Sequence, residues 1–166
     1  MEDGVVLLNT ALHPYIAKSI IKDHFFYGRK VDLKAEVAYK DSRLDFMVDG
    51  KFLIEVKSCS LLQDEVCLFP DAPTVRGVKH LRHLVQSIKE GYSPILLVLA
   101  FRECKCFFPN FIRDKLFYQT FKHAVDRGVD VRIFKVKVEE DFCISVKEEI
   151  GTCEEIWVLQ KISSIL

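Results

Sequence analysis

The sequence predicts an α/β protein, a three-layer sandwich around a mixed sheet, in the order helix, three-strand meander, helix, strand, helix, strand. Three observations carry this. Residues 31–57 contain three short strand-like runs separated by turn-length breaks. The run 94–101, PILLVLAF, is apolar throughout, as expected of a strand buried on both faces. Two segments of helical period, 75–90 and 113–127, flank that run and stop at Gly91 and Gly128. Strand–helix–strand crossovers of this kind imply parallel pairing and right-handed connections.

In chain order, Thr10 is placed to cap a first helix over 14–25, with Ile16, Ile20 and Ile21 inward and Gly28 as its stop. Residues 31–39 alternate apolar and polar as a half-buried strand. Residues 59–73 read as irregular, with Phe69-Pro70-Asp71-Ala72-Pro73 a barrier to helix. Thr74 is an N-cap for the next helix, whose apolar stripe is Val78, Leu81, Leu84, Val85 and Ile88. Residues 129–138 alternate as a strand, and 141–147 with 155–161 add a C-terminal hairpin or edge strand.

The most informative run is 36–57, which holds Asp45, Glu55 and Lys57 in the spacing D-x9-E-x-K. Strands over 43–48 and 52–57 turn at Asp49-Gly50. A two-residue turn pairs Val48 with Lys51 and mixes charged with apolar side chains on one face. A three-residue turn, with Gly50 or Lys51 near the left-handed region, pairs Val48 with Phe52 and sorts the faces. Leu44, Phe46, Val48, Phe52, Ile54 and Val56 then lie on one side; Arg43, Asp45, Met47, Leu53, Glu55 and Lys57 lie on the other. In this register Asp45 faces Glu55, with Cβ atoms about 5 Å apart, and Lys57 follows two residues along. Two facing carboxylates repel unless a proton or a cation intervenes, and hard oxygen donors suit Mg2+ or Mn2+. Such a constellation activates water for phosphodiester hydrolysis. A charged sheet face open to water accounts for the same residues.

On the 75–90 helix, Arg76, Lys79, His80 and His83 fall on one face, and no acid occurs between Ala72 and Lys89. That face offers phosphate contacts; a solvated helix face is the plainer alternative. The 166 residues suit one domain, and 49% hydrophobic content excludes disorder. Lys plus Arg and Asp plus Glu both number 24, which argues against non-specific coating of nucleic acid, so any such binding is local. No run reaches the roughly 18–20 apolar residues that span a bilayer, and the acidic MEDGVVLLNT start is no secretory signal, so a cytoplasmic protein with no membrane contact is expected. Six cysteines lack C-x-x-C spacing and are expected to be reduced thiols, with Cys104 and Cys106 as the pair for a metal or redox alternative.

The segments Asn9-Thr10, 42–46 (SRLDF), 55–58 (EVKS) and above all 69–81 (FPDAPTVRGVKHL) resemble the sugar fermentation stimulation protein family, over about 7–138. The resemblance implies a domain with the PD-(D/E)xK restriction-endonuclease-like fold and DNA binding, linked to regulation of sugar-utilisation genes. It implies an Mg2+- or Mn2+-dependent endo- or exonuclease in which Asp45, Glu55 and the Val56 carbonyl hold metal. Lys57 would orient or activate water, and Glu36 would be an acid that supports the metal's ligands or holds a second metal. Arg76, Lys79 and His80 would contact the scissile phosphate or line the site. Family members carry an N-terminal OB-like domain; here the nuclease-like domain fills 1–166, so a separate OB-like partner is expected, and the C-terminal hairpin offers an edge for a homodimer. The alternative is a DNA-binding regulatory protein of sugar metabolism that keeps the fold without turnover.

Overall fold

The computed structural model describes residues 10–139, 141, 143–155 and 158. A 3-10 turn, Thr10–Leu12, leads into α1, His13–Ile20, which continues as a π-helical turn over Ile21–Phe25. Pro14 stands in its first turn, and Leu12 rather than Thr10 is the N-cap, without a side-chain bond. The inward set is as predicted: Ile16, Ile20 and Ile21 are buried.

The meander follows as β1 Leu33–Tyr39, β2 Ser42–Val48 and β3 Phe52–Cys59. Then come β4 Leu61–Gln63, β5 Val66–Phe69, α2 Val75–Lys89, β6 Ser93–Ala100, β7 Cys106–Pro109, α3 Lys115–Asp126, β8 Asp130–Val138 and β9 Ile144–Ile150. Among the described residues the main sheet runs β1-β2-β3-β6-β8-β9, antiparallel at both ends and parallel through β3, β6 and β8. α1 covers one face with Phe46, Val48, Ile54, Leu97 and Phe134. α2 and α3 cover the other with Leu53, Leu96, Val98 and Ile133. This is the mixed three-layer arrangement expected.

The helix limits follow their capping residues. The Thr74 hydroxyl accepts the Gly77 N–H at 2.9 Å, and the backbone beyond α2 turns at Gly91 with φ +89°. Asp114 accepts the Phe117 N–H at 2.8 Å and opens α3 two residues later than predicted. Its other oxygen takes the Thr74 N–H at 2.8 Å, so one carboxylate ties both helix starts together.

Four expectations are corrected. Residues 70–73 are irregular as expected, but 61–69 are not: β4 and β5 form a hairpin whose Asp64 and Glu65 both have positive φ, and β7 adds in parallel to make a second, three-stranded sheet. No glycine or asparagine marks that turn, so the usual signal was missing. Leu44 does not share a face with Phe46; it packs toward α2. The ladder between β1 and β2 skips Glu36 and Asp45, Glu36 has φ +52°, and the alternation resets there. The thiols are not all reduced: Cys67 bonds Cys104 and Cys106 bonds Cys153, while Cys59 and Cys143 are free. At the C-terminus 144–150 is an edge strand antiparallel to β8, but the expected strand over 155–161 is not seen in Glu155 and Val158, which are helical; the rest of it lies outside the described residues.

Candidate functional site

The site arises where β2 parts from β3. Val48 pairs with Phe52, Met47 with Leu53 and Phe46 with Ile54, the register read from the apolar pattern, with Asp49 and Gly50 both at positive φ in the turn. The ladder then stops. Asp45 is not paired across from Glu55; its Oδ2 instead accepts the Val56 N–H at 2.7 Å. The parting strands free one backbone donor, and the carboxylate satisfies it.

β3 continues in register with β6, Glu55 beside Leu96 and Lys57 beside Val98. Glu55 is only 2% exposed. Its Oε1 accepts from Lys57 Nζ at 2.6 Å and from His80 Nδ1, which reaches in from α2. Its Oε2 is buried with no hydrogen-bond partner among the described residues. Burial alone would raise the Glu55 carboxyl; the bonds from His80 and Lys57 outweigh it and hold the group below the ordinary carboxylate range. Asp45 goes the other way. Burial first, and then the nearby Glu55 charge, push it up to about 6, against the Val56 N–H and Lys57.

The other predicted residues sort by exposure. Glu36 is exposed and lines, with Asp45, Ser58, His13 and Thr10, a cavity of about 240 Å³ on the α1 side. Arg76 is exposed. Lys79 bridges to Asp41 at 2.7 Å. His80 and His83 are 2% and 9% exposed and turned inward, His83 between Ser42 Oγ at 2.7 Å and Asp41 Oδ1 at 3.1 Å. The four basic residues therefore do not form one solvated face. The expected face came from helical spacing, which cannot tell an outward imidazole from one reaching a buried carboxylate.

Among the described residues no group of three or more His, Cys, Asp or Glu is arranged to hold a metal ion. The donors nevertheless fit a hard cation. An unpaired buried carboxylate oxygen lies close enough to a second carboxylate to raise its proton affinity, and a cation relieves both conditions.

Fold and site together define a mixed α/β domain with a carboxylate–lysine centre midway along a central strand, where β2 parts from β3. The model of the sugar fermentation stimulation protein RE domain matches residues 8–142, and the chain belongs to that family. The sugar fermentation stimulation protein homolog of Thermotoga sp. (strain RQ2) is 36% identical over 93% of this chain and 68% of its own length. That of Sulfolobus acidocaldarius is 39% identical over 87% of this chain and 61% of its own length. The solved structure of SfsA from Pyrococcus furiosus in complex with Ca2+ has the same fold, with TM-score 0.84 and 24% identity over 92% of this chain and 69% of that one. The chain thus spans roughly two thirds of these relatives. No helix among the described residues is long and apolar enough to cross a membrane.

Proposed function

We propose that the domain is a PD-(D/E)xK-type, Mg2+- or Mn2+-dependent nuclease that hydrolyses phosphodiester bonds in nucleic acid, DNA foremost. The observation that carries this is Glu55, a buried carboxylate with one oxygen taken by Lys57 and His80, the other without a partner among the described residues, and a charge near enough to raise the Asp45 carboxyl. The Ca2+ in the Pyrococcus furiosus protein's structure supports an oxygen-ligated cation in this family.

Asp45, Glu55 and the Val56 carbonyl would hold the cation. When bound, the cation supplies Lewis acidity toward a phosphoryl oxygen and makes its water easier to deprotonate. Lys57 orients the attacking water and offsets charge on the phosphate, for which it gives up its bond to Glu55 Oε1. Glu36, at the mouth of the adjoining cavity, orders a further water or cation beside Asp45. Exposed Arg76, one turn before His80, contacts the phosphate backbone, with Lys79 beyond it.

A non-catalytic DNA-binding module is the second reading. Its support is that the Lys57 ammonium pairs with Glu55 Oε1 and His80 hydrogen-bonds the same oxygen, so that the chain's own groups already engage the carboxylate. Cleavage of labelled single- and double-stranded DNA and RNA in Mg2+, Mn2+ or chelator separates the two. Metal-dependent cleavage lost in Asp45→Ala and Lys57→Ala establishes the nuclease. A salt-sensitive mobility shift with no cleavage in any metal leaves the binding module.

A further inference from the structure

Nothing in the spacing of Asp45, Glu55 and Lys57 says which Glu55 oxygen faces outward for chemistry. The helix opposite decides it. His80 approaches Glu55 from α2, and both residues are 2% exposed. An ionised carboxylate can only accept, so His80 Nδ1 carries the hydrogen in this bond. Lys57 Nζ sits 2.6 Å from the same Oε1 and 3.5 Å from His80 Nδ1, so ammonium and imidazole crowd onto one oxygen. Oε2 is left buried and unpaired.

The His80 end of the contact is fixed by the packing and capping of α2. Val78, Leu81 and Leu84 bury α2 against the sheet, its start is capped by Thr74, and Asp114 holds the Thr74 N–H from the start of α3. Gly77 passes so close to Thr74 and Phe117 that an added Cβ would meet Thr74 Cγ2 at 2.7 Å and Phe117 Cε2 at 3.3 Å. Helix position, and with it the imidazole, is set by packing and capping contacts that do not involve the carboxylates of the site.

We propose that His80 is a positioning residue: by taking Glu55 Oε1 through Nδ1 it fixes the carboxylate so that Oε2 is the oxygen presented to a divalent cation. This rests on the nuclease-type reading of the site and gives His80 a task other than phosphate contact. Partners that orient a ligating carboxylate typically change metal affinity 10–100-fold when removed.

The test is Mn2+ titration by calorimetry of the full chain, with kcat and KM on a DNA oligonucleotide alongside. The proteins are wild type, His80→Ala, His80→Asn and His80→Gln. An Asn amide nitrogen overlays the Nδ1 position, whereas a Gln nitrogen overlays Nε2. Loss of about tenfold or more in Mn2+ affinity is expected for His80→Ala, with kcat falling and KM for DNA unchanged; His80→Asn recovers most of it and His80→Gln does not. Wild type that binds Mn2+ with His80→Ala its equal overturns the positioning role alone. Equal behaviour of the Asn and Gln variants does the same, and this pair stays informative should the Ala variant not fold. Wild type that binds no Mn2+ overturns the cation reading of the site together with this one.

Discussion

Two clusters on the same side of the sheet each combine a carboxylate, a lysine and a histidine. Glu55, Lys57 and His80 make one; Asp41, Lys79 and His83 make the other, one turn along α2. In each, a carboxylate from the meander meets a lysine and an α2 imidazole. They differ in water. The Glu55 side chain is 3% exposed and that of Asp41 is 73% exposed. Solvent screens the Asp41 cluster, and its charges are cheap to rearrange. The Glu55 cluster has no such screening, so each partner matters, and one unpaired oxygen is held where only a proton or cation can answer it. Identical chemistry is a surface tether in one place and a centre with unmet demand in the other.

The comparison breaks most sharply at Glu55. Glu55→Ala leaves the Lys57 ammonium without its partner in a mostly buried site and is expected to cost about 3 kcal/mol in urea unfolding, with metal-dependent cleavage abolished. An unchanged unfolding midpoint would put the cluster in the same class as its exposed counterpart.

Asp45 gives a smaller effect of opposite sign. Its folded pKa, about 6, lies above the ordinary 3.8, so its contribution to stability is full below the lower value and is lost as pH rises through the upper one. In chelator, Asp45→Asn is therefore expected to gain stability by about 2 kcal/mol at pH 8 and to flatten the dependence between pH 4 and 7. A variant no more stable than wild type at pH 8 would show that Glu55 and burial do not strain Asp45.

At the exposed cluster, Asp41→Asn should leave the urea midpoint within error and cleavage intact, because Lys79 and His83 are solvated or held otherwise, His83 by Ser42. A clear loss of cleavage would mean that this cluster belongs to the site.

Much of the scaffold was legible in advance. Thr74 and Gly91 bracket α2 because a hydroxyl cap and a left-handed exit are local requirements. The Val48–Phe52 register followed from burying one apolar set. The run now seen as β6 is buried along nearly its whole length, as its unbroken apolar character required. The spacing marks Asp45, Glu55 and Lys57, and the structure places Asp45 against the Val56 N–H of β3, between Glu55 and Lys57 in the chain. The small second sheet was not legible, since β5 and β7 pair across 106–109, far along the chain. The Cys67–Cys104 and Cys106–Cys153 bonds escaped for the same reason, and sequence spacing holds no record of which thiols meet.

Sequence alone determined the order helix, meander, helix, strand, helix, strand around the main sheet, the stop of α2 and the Val48–Phe52 register, because these depend on periodicity and on backbone conformations that few residues accept. Only the tertiary structure decided that β2 leaves β3 before Asp45 meets Glu55, that Leu44 and Phe46 pack on opposite faces, and that His80 reaches the buried carboxylate while His83 is held at the rim. Those outcomes depend on how α2 seats on the sheet and on where a ladder hydrogen bond gives way to a side chain, a contest between distant groups that no local pattern encodes.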